Sequence, residues 1–134
     1  MINYKIINEI VSVDDYMKLR KLTLGEKERK WAEKVANSWY GVYVVYENET
    51  IGTGRIIGDG GLTFQITDIM VHPNYQGKGI GKSIMDSLMD YYTKNAPKDA
   101  YLSLMADGNA KFLYKKYGFS EMENTIGMKY IPNN

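Results

Sequence analysis

The chain of 134 residues contains no cysteine and a single histidine, His72. The first absence removes a disulfide framework, a thiolate metal site and a catalytic thiol together. With only one imidazole as well, a transition-metal centre lacks its usual ligands, and no metal is expected. Net charge is also lacking: 17 basic residues face 16 acidic ones. No strong field therefore draws the chain to nucleic acid or to an anionic membrane. No apolar run approaches the ~18 residues of a membrane span. The opening Met1-Ile2-Asn3-Tyr4-Lys5 lacks the basic and then apolar run of a signal peptide. Repeats, low-complexity tracts and linkers are missing too. The expectation is one cytoplasmic domain over residues 1–134, with 44% hydrophobic residues to build its core.

Along the chain, β-branched and aromatic residues alternate loosely over residues 4–10, a first strand. Ser12 is placed to cap a helix carrying Tyr16, Leu19 and Leu22 at helical spacing, and Gly25 interrupts it. A polar helix is expected over 26–37. Strands follow over 41–46, 50–57 and 62–72, separated by turns at Glu47-Asn48-Glu49 and Gly58-Asp59-Gly60-Gly61. Ile80, Ile84, Leu88 and Tyr91, extended by Met85 and Met89, mark the apolar stripe of a helix. A short strand over 100–105 and a helix over 109–117 come next. Gly118 sits where a C-cap glycine belongs, and strands are expected from Phe119 and over 125–131. The order predicts an α/β fold: a mixed, mostly antiparallel sheet with one parallel strand–helix–strand unit and helices on both faces. Trp31, Trp39, Tyr40 and Tyr43 are read mainly as core, with Trp31 or Tyr40 as candidate lining of an acceptor pocket.

The segment Gln76-Gly77-Lys78-Gly79-Ile80-Gly81-Lys82 joins a buried strand directly to an amphipathic helix. A helix N-terminus offers unpaired N–H groups and the positive end of its dipole, and neighbouring glycines let a phosphate reach the backbone. Lys78 and Lys82 add positive charge. A nucleotide P-loop is excluded, because no Gly-Lys pair stands at the required offset from an earlier glycine. A dinucleotide fingerprint fails as well: after Gly77 and Gly79 its third glycine position is Lys82.

The pattern Gln-x-x-Gly-x-Gly at Gln76, Gly79 and Gly81 resembles the pyrophosphate loop of the GNAT family of N-acetyltransferases. Ile69-Met70-Val71-His72-Pro73 precedes it as the family's fourth strand does. Phe112-Leu113-Tyr114-Lys115-Lys116-Tyr117-Gly118-Phe119 resembles the family's second hallmark, an aromatic-rich helix closing on Gly-Phe. The resemblance implies a sheet splayed between its fourth and fifth strands. It also implies acetyl-coenzyme A as acetyl donor. Backbone groups of Ile69, Met70 and Val71 would pair with the pantetheine amides, and Gln76 through Lys82 (Gln76, Gly77, Lys78, Gly79, Ile80, Gly81, Lys82) would hold the pyrophosphate. Tyr114 matches the tyrosine that often protonates the leaving thiolate, a role suited to a phenol near pKa 10. The family often has asparagine seven residues earlier; here that residue is Asp107, and Asn109 is read as a coenzyme contact, a helix cap or both.

The general base is not legible. Asp68, Glu26 and Glu28 are candidates whose commoner role is structural or solvated, and His72 reads as a turn residue. The function expected is transfer of acetyl from acetyl-coenzyme A to a primary amine of a small molecule, by direct attack in a ternary complex. The rival acceptor is a protein N-terminus or lysine; a non-catalytic coenzyme A-binding domain is the rival from another class. A homodimer is carried over by analogy alone.

Overall fold

The computed structural model describes residues 2–133. The chain forms two compact units, Met1–Leu104 and Met105–Asn134. The first contains a five-stranded sheet in sequential order, β1 (Lys5–Ile7), β2 (Tyr40–Tyr46), β3 (Glu49–Gly58), β4 (Thr63–Val71) and β5 (Tyr101–Ser103). The first four strands run antiparallel, and β5 lies parallel to β4. Between β2 and β3, Glu47 and Asn48 both take positive φ (49° and 62°), as the tight two-residue hairpin turn requires. Between β3 and β4, Asp59 Oδ1 accepts the N–H groups of Gly61, Leu62 and Thr63 at 2.8, 2.8 and 3.1 Å. Those donors, Gly61 foremost, hold the Asp59 carboxyl below its ordinary pKa.

The fourth strand is irregular at one point. Thr53 pairs with Met70 and Arg55 with Thr67, so β4 carries an extra residue against β3. Asp68, in that stretch, has φ 54°. The extra residue reverses the alternation of side chains. Phe64 packs on one face against Tyr92 of the long helix, whereas Met70, six residues on, joins the core on the opposite face.

That opposite face is covered by α1 (Val13–Leu22). Ser12 Oγ caps it by accepting the Asp15 N–H at 3.2 Å, with two acidic residues in the first turn and Arg20 and Lys21 in the last. Tyr16 and Leu19 pack there with Val11, Ala32, Val35 and Met70. The helix expected over 26–37 is instead a single turn, α2 (Arg29–Ala32), continued by a 3-10 stretch over Glu33–Asn37. The buried residues Ala32 and Val35 are three apart, the spacing a 3-10 turn brings to one side. So short an element leaves Trp31 62% exposed beneath Lys30, which corrects its reading as core.

The other face carries α3 (Ile80–Asn95), which buries Ile80, Ile84, Met85 and Leu88. Gly52 and Gly54 on β3 permit its close approach: a Cβ at Gly54 would lie 2.6 Å from Ile84 Cγ2. Trp39 packs against Phe64, Tyr91 and Tyr92, and Tyr40 stacks on Tyr91 with centroids 3.8 Å apart. Helices thus lie on both faces of the mixed sheet.

In the second unit a 3-10 turn (Gly108–Ala110) leads into α4 (Lys111–Lys115). Gly118, at φ 92°, ends the helical segment, its N–H donating to the Lys115 carbonyl at 3.2 Å. The strands expected from Phe119 and over 125–131 are not formed among the described residues. Ile126, Met128 and Tyr130 do alternate, but they are 79–85% exposed. Alternation makes a strand only when a neighbour takes up the backbone N–H and C=O groups, and no such ladder is present there.

Replacing Gly54 by alanine drives a methyl group into Ile84 and Leu88. We expect a loss of about 1–3 kcal/mol, seen as a lower denaturant midpoint with an unchanged slope.

Candidate active site

β4 and β5 pair only at Thr63–Tyr101, Phe64–Leu102 and Gln65–Ser103. Beyond Gln65, β4 runs on to Val71 with no β5 partner among the described residues, so the sheet is splayed there. Strand geometry identifies which groups face the opening. The His72 N–H donates to the Ile51 carbonyl at 2.8 Å, on the β3 side. Alternation then turns the main chain of Met70 toward β3 and that of Ile69 and Val71 toward the open side. Consistently, the Val71 carbonyl accepts the Gln76 side-chain amide at 3.0 Å. The Met70 side chain is fully buried. Of the three residues expected to pair with pantetheine, Ile69 and Val71 therefore present backbone groups to the open edge, and Met70 enters the core.

β4 leads through His72 and a 3-10 turn (Pro73–Tyr75) into the glycine loop. His72 Nδ1 accepts the Asn74 N–H at 3.1 Å, the turn role expected of it. Gly77 and Gly79 have φ of 78° and 81°, and a Cβ at either would meet nothing within 4 Å. Backbone conformation, not crowding, calls for glycine here, and the space over the loop is open. Gly79 is the N-cap of α3 and no side chain caps the helix. The N–H groups of Ile80 and Gly81 thus lack intrahelical acceptors at the positive end of a 16-residue helix. The Ile80 side chain is buried and anchors this end. Gln76, Gly77, Lys78 and Gly79 are exposed, and Lys82 reaches Asp86 at 3.2 Å. An uncapped N-terminus with clear space above it fits a pyrophosphate.

Asp68 sits on the α1 face of the bulge and is not a free base. Its Oδ2 accepts the Tyr16 hydroxyl at 2.6 Å and Arg55 Nη2 at 2.8 Å, and its Oδ1 accepts Arg20 Nη1 at 3.3 Å. The side chains of Asp68, Arg20 and Arg55 are only 10%, 13% and 19% exposed. Burial, and next the bond to Asp68, push the Tyr16 phenol above its ordinary pKa. Sequence reading missed the two arginines, since they stand 48 and 13 residues from Asp68 and no local pattern pairs them. The other candidate carboxylates are exposed: Glu26 lies 3.7 Å from Lys21, and Glu28 precedes α2 without capping it.

In the second unit, Tyr114 lies on α4 with its ring edge-on to Phe119. Burial first, and the negative charge of Asp107 second, raise its pKa above the ordinary 10.0. Asn109 is exposed inside the 3-10 turn, and the N-cap of α4 is Ala110, with no side-chain cap, so Asn109 does not serve as a helix cap. Lys111 and Lys115 flank Glu121 at 3.5 and 3.4 Å. No cluster suited to a metal ion occurs among the described residues, and none of their helices is long and apolar enough to cross a membrane.

A raised phenol pKa means that the folded state favours the neutral form. Its contribution to stability is complete below the unfolded value near 10 and fades as pH rises through the folded value. Asp107→Asn removes one cause, so Tyr114 should ionise at lower pH. Tyrosinate absorbance, read against Tyr114→Phe in the same background, checks this; an unshifted curve would exclude the Asp107 effect.

Residues 17–133 match the family described as Acetyltransferase (GNAT) domain. The solved structure of a probable acetyltransferase from meticillin-resistant Staphylococcus aureus matches with a TM-score of 0.88 at 38% identity, covering 98% of this chain and 100% of that one. An uncharacterized N-acetyltransferase of Pyropia yezoensis is 28% identical over 86 residues, 63% of this chain and 48% of that protein. The ribosomal protein bS18 alanine N-acetyltransferase of Haemophilus influenzae is 32% identical over 65 residues, 48% of this chain and 43% of that protein. The chain spans about half the length of these curated relatives. With a glycine loop, a splayed sheet and a family match over most of its length, the chain belongs to the GNAT family of acetyltransferases.

Proposed function

We propose that this protein transfers the acetyl group of acetyl-coenzyme A to a primary amine of a small molecule, by direct attack within a ternary complex in the cytoplasm. The observation that carries the reading is the continuity of β4: an edge left open beyond Gln65 runs into a glycine loop and an uncapped helix N-terminus. Acetyl-coenzyme A, the donor of this family, has amides at one end and a pyrophosphate further along. The main chains of Ile69 and Val71 pair with the amides as an added strand would. The N–H groups from Gln76 to Lys82 hold the pyrophosphate.

The new N–C bond forms from the amine lone pair as the C–S bond breaks, and a backbone N–H on this stretch of β4, near Met70 or Val71, stabilises the carbonyl oxygen. Taking residues 1–134 as one catalytic domain, Tyr114 gives its proton to the departing thiolate and recovers one from solvent. Its raised pKa keeps that proton in place at working pH. Asn109 adds a contact to the coenzyme. With no cysteine in the chain, no thioester on the protein intervenes.

The Haemophilus relative, named for acetylating a ribosomal-protein alanine, favours a second reading in which the acceptor is a protein N-terminus. A panel of amino acids, polyamines and aminoglycosides run beside N-terminal peptides separates the two through thiol release.

Calorimetric titration with acetyl-coenzyme A tests the donor site. Wild-type protein should bind in the micromolar range, about −8 kcal/mol, and Gly79→Ala with Gly81→Ala should abolish binding. A well-folded wild type that binds nothing would sink the proposal. Tyr114→Phe should lower kcat by about 10²-fold or more while changing the coenzyme Kd little; an unchanged kcat at every pH removes the assigned role.

A further inference from the structure

The proposed donor slot needs the main chain of Ile69 and Val71 held in one direction, and a β-bulge is what turns it that way. The bulge residue, Asp68, takes a positive φ that a side chain adopts at some cost, so something must hold it. Its carboxylate is that holder, because three side chains from two elements converge on it. Tyr16 and Arg20 reach it from α1, and Arg55 reaches it from β3. Each arginine also grips a second segment. Arg20 donates through Nε to the Gly25 carbonyl at 2.8 Å, in the loop after α1. Arg55 donates through Nη1 to Ser38 Oγ at 3.1 Å, where the chain enters β2.

We infer that Asp68 is a positioning residue: clamped between Arg20 and Arg55, it fixes the β4 bulge that aims Ile69 and Val71 into the donor slot, and it ties the loop at Leu24–Gly25 to the same strand. The inference rests on the donor-site reading and adds to it a device that acts through the backbone without touching the coenzyme. A carboxylate that served only to neutralise two arginines would need neither the bulge nor the link to the loop. Removing all three charges together distinguishes the two roles. Neutral replacement of a buried ion cluster is often tolerated, because no charge is left unpaired. Glycine at position 68 also keeps the positive φ within reach.

The test compares wild type, Arg20→Met, and the triple variant Asp68→Gly/Arg20→Met/Arg55→Met. The readouts are the thermal midpoint, amide exchange at Met70 and His72 without ligand, and the calorimetric Kd for acetyl-coenzyme A. The triple variant should keep a cooperative transition near the wild-type midpoint. Its Met70 and His72 amides should exchange faster, and its Kd should rise about tenfold, since a loosened strand misplaces the pairing groups. A folded triple variant with wild-type exchange and wild-type Kd overturns the inference. Should that variant fail to fold, Arg20→Met decides alone, and unchanged exchange at Met70 and His72 overturns it. If the wild type itself binds no acetyl-coenzyme A, the donor-site reading fails, while the exchange data still report on the clamp.

Discussion

A carboxylate gripped by two guanidinium groups and a phenol governs the direction of β4. Burying Asp68, Arg20 and Arg55 strips them of water, and the arrangement is sustained because both carboxylate oxygens are engaged. Deleting Asp68 alone would strand the two guanidinium charges, at a typical cost of about 3–5 kcal/mol. The extra residue at this point reverses the side-chain alternation of the strand. Without it, Met70 would keep the parity of Phe64 and leave the α1 core, and Val71 would turn its main chain toward β3. One electrostatic cluster therefore links the integrity of the α1 core to the exposure of two backbone groups at the open edge.

The second constraint is the closeness of α3 to the sheet. Gly52 and Gly54 remove two side chains from the contact, and Ile80, Ile84 and Leu88 fill the space. Tyr4 adds a hydroxyl contact to Ser83 Oγ at 2.7 Å, in the first turn of the helix. These contacts hold the helix N-terminus close to the end of β4. An open strand edge and an uncapped helix N-terminus thus follow one another along a single stretch of chain. Rigid packing of this kind keeps a positive helix end from being relaxed away by side-chain motion.

The phenol of Tyr114 shows how burial and a neighbouring charge together set an acidity. Asp107, which stands where an asparagine is commoner, disfavours the phenolate. The proton is retained over a wider pH range, and the acid is correspondingly weaker.

Features set by neighbours in the chain were legible in the sequence. The Ser12 cap, the hairpin turn at Glu47-Asn48, the apolar stripe of α3 and the glycine loop all depend on spacings of a few residues, so pattern alone specified them. The motif order also indicated the family and the splay of the sheet. Tertiary structure decided the rest. The bulge at Asp68 is paired with Arg20 and Arg55 across 48 and 13 residues, and it leaves the main chain of Ile69 and Val71 on the open edge while that of Met70 faces β3. The helix expected over 26–37 broke into a turn and a 3-10 stretch because only Ala32 and Val35 found a core to enter. The alternation near the C-terminus formed no strand, because a strand is a relation between two segments and the pattern describes only one.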